Sequence, residues 1–319
     1  MTKIGLLFPG QGAQEVGMGK ALAEAGAAAR RVFHAANEEL GLELDRICFE
    51  GPAEELGRSD VAQPAILTMS VAALRAMAEA AGAPPPAAAA AGLSLGEYTA
   101  LVAAEALDFR QAVRLVHYRG RFMQEACQAN PGTMFSIIAL EDAQVEEACR
   151  LARAQTGGGV WPANYNSPGQ LVISGSKDAA AAAAELCTAM GARKTVELKV
   201  AGAFHTPLMQ PAADMLAPMI EELDLKRPAF PIVANVSGRP TADPAEMRRL
   251  LIRQVTEPVH WVDCQRALVA LGIGRCYEVG PGHVLKGLLK RTEEGCACLG
   301  VSTPQDVAAY AESAAGSAN

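Results

Sequence analysis

The segment GLSLG at residues 92–96 places a serine between two glycines, and few chain conformations suit that arrangement. The pattern G-x-S-x-G is typical of a nucleophile elbow, a sharp turn that joins a strand to a helix and raises the serine hydroxyl above the sheet. Small neighbours are needed because the strand and the helix approach each other closely there. The segment therefore predicts a strand before Ser94 and a helix after it. A nucleophilic Ser94 and a plain turn both fit the pattern.

The residues that precede this serine are unusual for a strand. Residues 87–91 are all alanine, which favours helices and is depleted in strands. An elbow nevertheless requires a strand at this position, so we predict one over 87–91 against the local propensity. Helices are predicted to follow at 97–106 and 110–126.

The N-terminal segment predicts a second glycine-rich turn. The apolar run at 3–8 is typical of a buried strand, and the loop PGQGAQEVGMG follows it. Two phosphate-binding motifs are excluded here, because Glu15 replaces the third glycine of the dinucleotide pattern and Gln14 replaces the first glycine of the P-loop pattern. A helix is predicted next, over 20–36, and a later one over 65–81.

The order of elements changes between residues 131 and 200. Strands are predicted in TMFSIIAL, GVWPANYN, QLVISGS and TVELKV, with helices at 141–154 and 178–190, the latter with Ser176 available as its N-cap. The order β-α-β-β-α-β is the ferredoxin-like pattern. The flanking segments alternate strand and helix, which predicts an α/β domain with a mostly parallel sheet. We therefore expect residues 1–130 and 201–319 to form the large domain, with a frayed tail at its end, and residues 131–200 an inserted α+β domain.

Composition and charge narrow the classes of function. The formal net charge of −7 disfavours a nucleic-acid-binding protein. The first apolar run breaks at Pro9, so no signal peptide is expected, and no apolar run is long enough to predict a membrane span. The eight cysteines are expected to be free thiols of a cytoplasmic protein, and the lone C-x-C at 296–298 has no second ligand pair nearby. We expect no nucleic acid, membrane, metal or redox cofactor.

A nucleophilic serine needs an adjacent base, and the chain has only five histidines. His205 follows the last predicted strand of the insert, at a domain junction where catalytic groups are often placed. His283, at a predicted helix start, is the second candidate. The N–H of Leu95, directly after the serine, is a candidate oxyanion donor. The other histidines are expected to pack or to lie on the surface: His34, His117 and His260.

Several segments together carry a family resemblance. They occur in the order and roughly the spacing of bacterial malonyl-CoA:acyl carrier protein transacylases: PGQGAQ, QPAILTMS, GLSLGEYTAL, YRGRFMQEA, NYNSPGQLVISG, GAFHTPLM and RQVTEPVHW. The chain resembles this family, and also the acyltransferase domains of polyketide synthases, over about residues 4–290. The resemblance implies an α/β-hydrolase-like large domain that carries a ferredoxin-like insert, in agreement with the predicted elements.

The resemblance also assigns roles to the reacting groups. It implies that Ser94 is the nucleophile and His205 its base. The backbone carbonyl of Gln254, in RQVTEPVHW, takes the orienting role that an aspartate has in other serine enzymes. The backbone N–H groups of Gln11 and Leu95 form the implied oxyanion hole. Malonyl then passes from CoA to Ser94, and from Ser94 to the pantetheine thiol of acyl carrier protein.

The selection of malonyl is implied at two further positions. Arg119 matches the arginine that binds the free carboxylate of malonyl, and its planar guanidinium suits a two-point contact. Its neighbour Arg121 is expected to point away on an ideal helix. Phe204, the bulky residue before the base, goes with malonyl in the related polyketide enzymes. By resemblance, malonyl-CoA is a substrate, no cofactor is needed, and the expected state is a monomer.

One position departs from the family pattern. The family usually has histidine directly before the nucleophile, and this chain has Leu93. That histidine is not the base, so the implied mechanism survives, but leucine cannot hydrogen-bond to support the elbow. Altered rate or specificity is therefore expected.

Other functions remain open on the sequence alone. The same serine and histidine suit a thioesterase or another serine hydrolase, which would consume malonyl-CoA without an acceptor thiol. A polyketide-type acyltransferase acting in trans fits the same motifs. A third alternative is a non-catalytic component of a fatty-acid or polyketide assembly. Leu93 is the only residue that supports it. For carrier-protein docking, two basic clusters are candidates, although a solvated charged face explains each equally well: Lys286 with Lys290 and Arg291, and Arg193 with Lys194.

Overall fold

The computed structural model describes residues 2–316, whose strands form two sheets. The strands are β1 (Lys3–Phe8), β2 (Ala87–Gly92), β3 (Gly132–Ile138), β4 (Val160–Ser167), β5 (Gln170–Ser176), β6 (Lys194–Glu197), β7 (Ile232–Ala234), β8 (Arg239–Thr241), β9 (Ile273–Val279) and β10 (Ala297–Val301). The helices are α1 (Lys20–Ala25), α2 (Ala27–Leu40), α3 (Leu44–Glu50), α4 (Ala53–Gly57), α5 (Ser59–Ala81), α6 (Gly96–Ala103), α7 (Phe109–Ala129), α8 (Asp142–Thr156), α9 (Lys177–Ala189), α10 (Gln210–Glu221), α11 (Pro244–Gln254), α12 (Trp261–Ala270), α13 (Val284–Thr292) and α14 (Pro304–Gly316). A 3-10 turn at Pro207–Met209 precedes α10.

The larger sheet has the strand order β10-β9-β1-β2-β7-β8. Neighbouring strands are parallel from β10 to β7, and β8 alone runs antiparallel, to β7. The alanine run forms β2, as predicted, because β1 and β7 supply backbone partners on both of its edges. The carboxyl ends of β1, β2 and β7 meet at one edge of the sheet, where the glycine-rich loop and the elbow both lie. The predicted α/β class with a mostly parallel sheet is confirmed.

The smaller sheet is antiparallel, with the order β4-β5-β3-β6. Helices α8 and α9 pack on it around a separate apolar core, so the predicted β-α-β-β-α-β order is present. Strand β6 is shorter than predicted and ends at Glu197. The N–H of Leu198 still donates to the carbonyl of Met134, after which the chain leaves the sheet. The division into domains at residues 131 and 200 stays a prediction.

One predicted helix, one predicted cap and the predicted tail differ from the structure. The segment expected as one helix over 20–36 forms α1 and α2, because Gly26 between them has extended backbone with φ −140°. The predicted N-cap of α9 was right in position only, since the Ser176 side chain makes no capping hydrogen bond. The expected frayed tail was also wrong in part, because residues 311–316 are helical. Residues 317–319 lie outside the described part of the chain.

Helix α5 begins earlier than predicted and runs through Pro64. Proline has no N–H, so the carbonyl of Asp60 loses its helical donor. Nδ1 of His117, on α7, lies 2.8 Å from that carbonyl and donates in its place. This contact gives the carbonyl of Asp60 a hydrogen-bond donor and joins α7 to α5.

The same helix contributes many side chains to the protein's large apolar core. By length and composition it is apolar enough to cross a membrane, which the sequence did not predict. In the structure, 89% of its most apolar window is buried inside the protein. Burial of this kind is what the central helix of a folded core shows.

Candidate active site

The turn between β2 and α6 holds Ser94 in a left-handed conformation, with φ 50°. A side chain on Gly92 would overlap the backbone of Gly96, and a side chain on Gly96 would overlap the carbonyl of Phe8. Both positions therefore require glycine, for the close approach that the sequence pattern predicted. The elbow presents the serine at the carboxyl edge of the larger sheet.

Asn235, directly after β7, holds this turn from the neighbouring strand. Its Oδ1 accepts a hydrogen bond from the N–H of Ser94 at 2.7 Å, and its Nδ2 donates to the carbonyl of Gly92 at 2.7 Å. The two bonds fix the strained backbone of the serine. Sequence analysis missed Asn235, although a polar residue that ends a short apolar strand was a usable signal.

The histidine that the structure brings to Ser94 is His205. Its Nε2 lies 2.9 Å from Oγ of Ser94, and its Nδ1 lies 2.8 Å from the carbonyl of Gln254. A carbonyl oxygen only accepts, so Nδ1 carries the hydrogen and Nε2 is free to accept the serine proton. Burial, with a smaller contribution from the charge of Arg119, lowers the pKa of His205 to about 4. The imidazole is therefore neutral near pH 7. His283, the other candidate base, directly precedes α13. It lines a cavity of about 260 Å³ whose lining does not include Ser94.

Arg119, on α7, is 1% exposed and lies beside the serine. Its Nη2 donates to Oγ of Ser94 at 3.1 Å and to Oε1 of Gln254 at 3.0 Å, and its Nη1 donates to Oε1 of Gln63 at 2.8 Å. The ring of Tyr98 lies under the guanidinium, 5.5 Å from its Cζ. Within residues 2–316, no acidic side chain forms a salt bridge with this cation. A buried guanidinium without a carboxylate partner suits an anionic ligand.

Arg121, two residues further along α7, points away as predicted. It is exposed, and its Nε donates to Oε1 of Glu125 at 2.9 Å. This pair makes it a useful reference for the buried arginine.

The glycine-rich loop brings Gln11 to the elbow. A side chain on Gly10 would lie 2.5 Å from the carbonyl of Leu93, so the loop and the elbow touch only because Gly10 is glycine. Among the described residues, no protein acceptor takes the N–H of Gln11 or Leu95. The side chain of Gln11 is held by Ser59, whose Oγ accepts from its Nε2 at 3.0 Å. Two free N–H groups next to a serine suit an oxyanion site.

A buried polar network lies beneath the reacting groups. Nε2 of Gln254 donates to Oε2 of Glu97 at 2.6 Å and to the carbonyl of Ser94 at 3.0 Å. Burial raises the pKa of Glu97 to about 7, against the opposing effect of its hydrogen bonds. Sequence analysis missed Glu97 and Gln63. A polar side chain inside an otherwise apolar helix was the available signal for both.

The other predicted positions lie close to the site. Leu93 packs against an apolar cluster that includes Val233 and Leu285, and its N–H donates to the carbonyl of Phe8. Hydrogen-bonding support for the elbow comes instead from the buried amides described above. Phe204 is 7% exposed and packs into the large core beside the base.

The two predicted basic clusters meet at one point. Arg193 and Arg291 line the same cavity, of about 470 Å³, together with Gly169. Lys286 lines the other cavity, beside His283. In residues 2–316 no group of three or more His, Cys, Asp or Glu side chains is placed to hold a metal ion.

The chain is similar to known acyltransferases over nearly its whole length. The sequence model of the family described as "Acyl transferase domain" matches residues 6–308. The malonyl CoA-acyl carrier protein transacylase of Escherichia coli K12 is 42% identical over 312 residues, which are 98% of this chain and 100% of that protein. Its Bacillus subtilis counterpart is 41% identical over 307 residues, 96% of each chain.

Solved structures of malonyl-transferring enzymes are also similar to this chain. An acyl carrier protein S-malonyltransferase from Vibrio cholerae is similar, with a TM-score of 0.92 and 42% identity, covering 97% of this chain and 99% of that one. A malonyl-transacylase solved in complex with a type II PKS acyl-carrier protein has a TM-score of 0.94 and 38% identity, covering 98% and 100%.

Proposed function

Since the chain belongs to the acyl transferase domain family, and within it to the malonyl-CoA:acyl carrier protein transacylases, we propose that it transfers malonyl from malonyl-CoA to the pantetheine thiol of acyl carrier protein for fatty-acid biosynthesis. One observation carries this proposal. Oγ of Ser94 contacts both the neutral imidazole of His205, at 2.9 Å, and the buried guanidinium of Arg119, at 3.1 Å. The first contact supports a nucleophile, and the second supports a substrate with a free carboxylate.

In the first half-reaction, Oγ of Ser94 forms a bond to the thioester carbonyl carbon while its proton moves to Nε2 of His205. The N–H groups of Gln11 and Leu95 donate to the oxygen that becomes negative. The carbon–sulfur bond then breaks, and the CoA thiolate takes the proton from the imidazole. The carbonyl of Gln254 holds the imidazolium through Nδ1.

The second half-reaction repeats these steps with another thiol. The pantetheine thiol gives its proton to His205 and attacks the malonyl-serine ester, and the serine then leaves with that proton. Water is the competing acceptor, so a slow loss of malonyl without carrier protein is expected. A serine hydrolase would instead show a fast one.

The selection of malonyl is proposed for Arg119 and Phe204. The guanidinium makes two parallel hydrogen bonds to the substrate carboxylate, and an acetyl group would leave the buried cation unpaired. Sites of this type reject analogues that lack the polar group by up to about 10⁴-fold. Phe204 limits the space beside the base and disfavours branched acyl groups.

Several further properties belong to the same proposal. Residues 131–200 form an inserted subdomain, the enzyme is a cytoplasmic monomer, and it needs no cofactor besides its substrates. The cavity between Arg193 and Arg291 is the proposed contact for an acidic carrier protein, because both cations line it.

Polyketide synthesis is the second candidate pathway. The similarity to a malonyl-transacylase in complex with a type II PKS acyl-carrier protein favours it as an alternative to fatty-acid synthesis. Assay of the purified enzyme with carrier proteins of both pathways separates the two, since the physiological partner should give the larger kcat/KM.

Intact-protein mass spectrometry tests the core of the proposal. The enzyme is incubated with malonyl-CoA and, in parallel, with acetyl-CoA. We expect a malonyl adduct that is absent in Ser94→Ala, present in the control Ser176→Ala, and discharged by carrier protein. Free CoA without an adduct would indicate a hydrolase. If neither an adduct nor free CoA appears, the proposal is contradicted. Leu93 would then mark a lost activity.

A further inference from the structure

One buried carboxyl group lies at the site but takes part in no step of the proposed reaction. Glu97 is the second residue of α6 and is 4% exposed. Its Oε2 accepts hydrogen bonds from Nε2 of Gln254 at 2.6 Å and from the backbone N–H of Asn235 at 3.2 Å. Both donors belong to residues that also bind the elbow. The carboxyl group therefore lies one contact away from every reacting group.

The side-chain amide of Gln254 has two ends with opposite requirements. Its oxygen faces the guanidinium of Arg119, which only donates, and its nitrogen faces the carboxyl of Glu97 and the carbonyl of Ser94. Rotation of the amide by half a turn would set its N–H groups against the guanidinium and its oxygen against three acceptors, the third being Oδ1 of Asn235. Glu97 supplies the shortest of the three contacts that hold the nitrogen end in place.

We propose that Glu97 is a positioning residue whose carboxyl oxygen fixes the orientation of the Gln254 amide, and through it the guanidinium of Arg119 that receives the substrate carboxylate. This inference rests on the proposed transfer of malonyl. Under this inference Gln254 has two separate tasks. Its backbone carbonyl orients His205, and its side chain orients Arg119. Only the second task depends on Glu97.

The consequence is a change in selectivity and not a uniform loss of rate. Without the acceptor, the amide is free to turn its N–H groups toward Arg119, and the guanidinium shifts. Acylation by malonyl-CoA then suffers, because its carboxylate needs Arg119. Acylation by acetyl-CoA uses Ser94, His205 and the oxyanion donors but not Arg119, so it changes little.

Two variants separate the acceptor from the charge. Glu97→Gln keeps a carbonyl oxygen that accepts from Gln254, and Glu97→Leu removes every acceptor at similar size. We expect E97L to lower kcat/KM for malonyl-CoA by about 10- to 100-fold, the range for one lost hydrogen bond at a charged site, with acetyl-CoA within about 3-fold. In E97Q the malonyl-to-acetyl ratio should return to within a few-fold of the wild-type ratio. Equal losses for both donors, or no loss in E97L, would overturn the inference.

A cycle with Gln254→Ala tests the route of the effect. This variant keeps the backbone carbonyl and deletes the amide, so it should itself lower the malonyl-to-acetyl ratio. Adding E97L should then change the ratio no further, whereas independent, multiplied losses would contradict action through Gln254. If E97L does not fold, an unchanged ratio in Gln254→Ala alone overturns the inference. If the wild-type enzyme fails to favour malonyl, the proposed function fails first, and a selective wild type with unaffected variants removes only this inference.

Discussion

Nη2 of Arg119 donates a hydrogen bond to Oγ of Ser94 over 3.1 Å, so the cation and the nucleophile are in direct contact. The proposed malonyl substrate would account for this closeness, because a single methylene separates its carboxylate from its thioester carbonyl. A group that binds the carboxylate must then lie next to the group that attacks the carbonyl. Under the proposed role of Arg119, this contact limits the accepted acyl chain to about the length of malonyl.

Replacing this arginine should invert the choice of acyl donor. In Arg119→Ala, kcat/KM for malonyl-CoA should fall by about 10²- to 10⁴-fold, since the buried carboxylate loses its partner, and acetyl-CoA should lose far less. Arg119→Lys should be intermediate, because an ammonium makes no planar two-point contact. The exposed neighbour gives the control, and Arg121→Ala should match the wild type. Parallel losses with both donors would argue against a carboxylate-binding role.

The pH dependence of acylation should report a low histidine pKa. His205 accepts a proton only when neutral, and burial lowers its pKa to about 4, so acylation by malonyl-CoA should stay constant near neutral pH. The rate should fall as pH drops through about 4, where the imidazole becomes charged. Single-turnover acylation after brief pH jumps measures this. A fall centred near the ordinary value of 6.5 would contradict the buried, neutral base.

Glu97 should impose a pH dependence on stability. Its folded-state pKa, about 7, lies above the ordinary 4.5, so folding favours the protonated form. Its contribution to the free energy of unfolding should decline as pH rises from 4.5 to 7, by on the order of 3 kcal/mol. Urea unfolding of Glu97→Gln at pH 5 and pH 8 should lack this decline relative to the wild type. Identical pH profiles for the two proteins would show that Glu97 titrates normally.

The elbow glycine should tolerate no side chain. In Gly96→Ala the new methyl group would overlap the carbonyl of Phe8, so we expect loss of acylation together with a destabilisation of several kcal/mol. Gly287, inside α13, offers a matched control, since a methyl group there meets nothing within 4 Å. Gly287→Ala should keep full activity and gain up to about 1 kcal/mol of stability from helix propensity. Thermal unfolding and adduct formation, measured together, decide the outcome.

Charge reversal should reveal the carrier-protein surface. The double variant Arg193→Glu with Arg291→Glu should raise KM for acyl carrier protein by about 10-fold or more and leave acylation by malonyl-CoA unchanged. Arg227→Glu is the control, because Arg227 is exposed and precedes β7, at the edge of the sheet opposite to Ser94. An unchanged KM in the double variant would place docking elsewhere.

The sequence predicted those features that local patterns encode. The glycines at 92 and 96 specify a turn of one shape, and the order of elements specifies the smaller sheet. The break at Gly26 was missed because a single glycine inside a helical pattern is usually tolerated. Asn235 and Glu97 were missed for a different reason: an isolated polar residue in an apolar segment does not identify its partner, and the partners lie 141 and 157 residues away along the chain. Contacts at such separations leave no periodic trace in one sequence.

The same separations have a consequence during protein synthesis. Ser94 leaves the ribosome long before His205, Asn235 and Gln254, to which it is joined in the finished protein across 111, 141 and 160 residues. Translation at about 5–20 residues per second leaves an interval of several seconds in which the serine has no base and no fixed turn. A nascent chain therefore cannot trap malonyl or waste it on water. The arrangement that the proposed chemistry needs is complete only after residue 254 has been made, so a shorter chain lacks it.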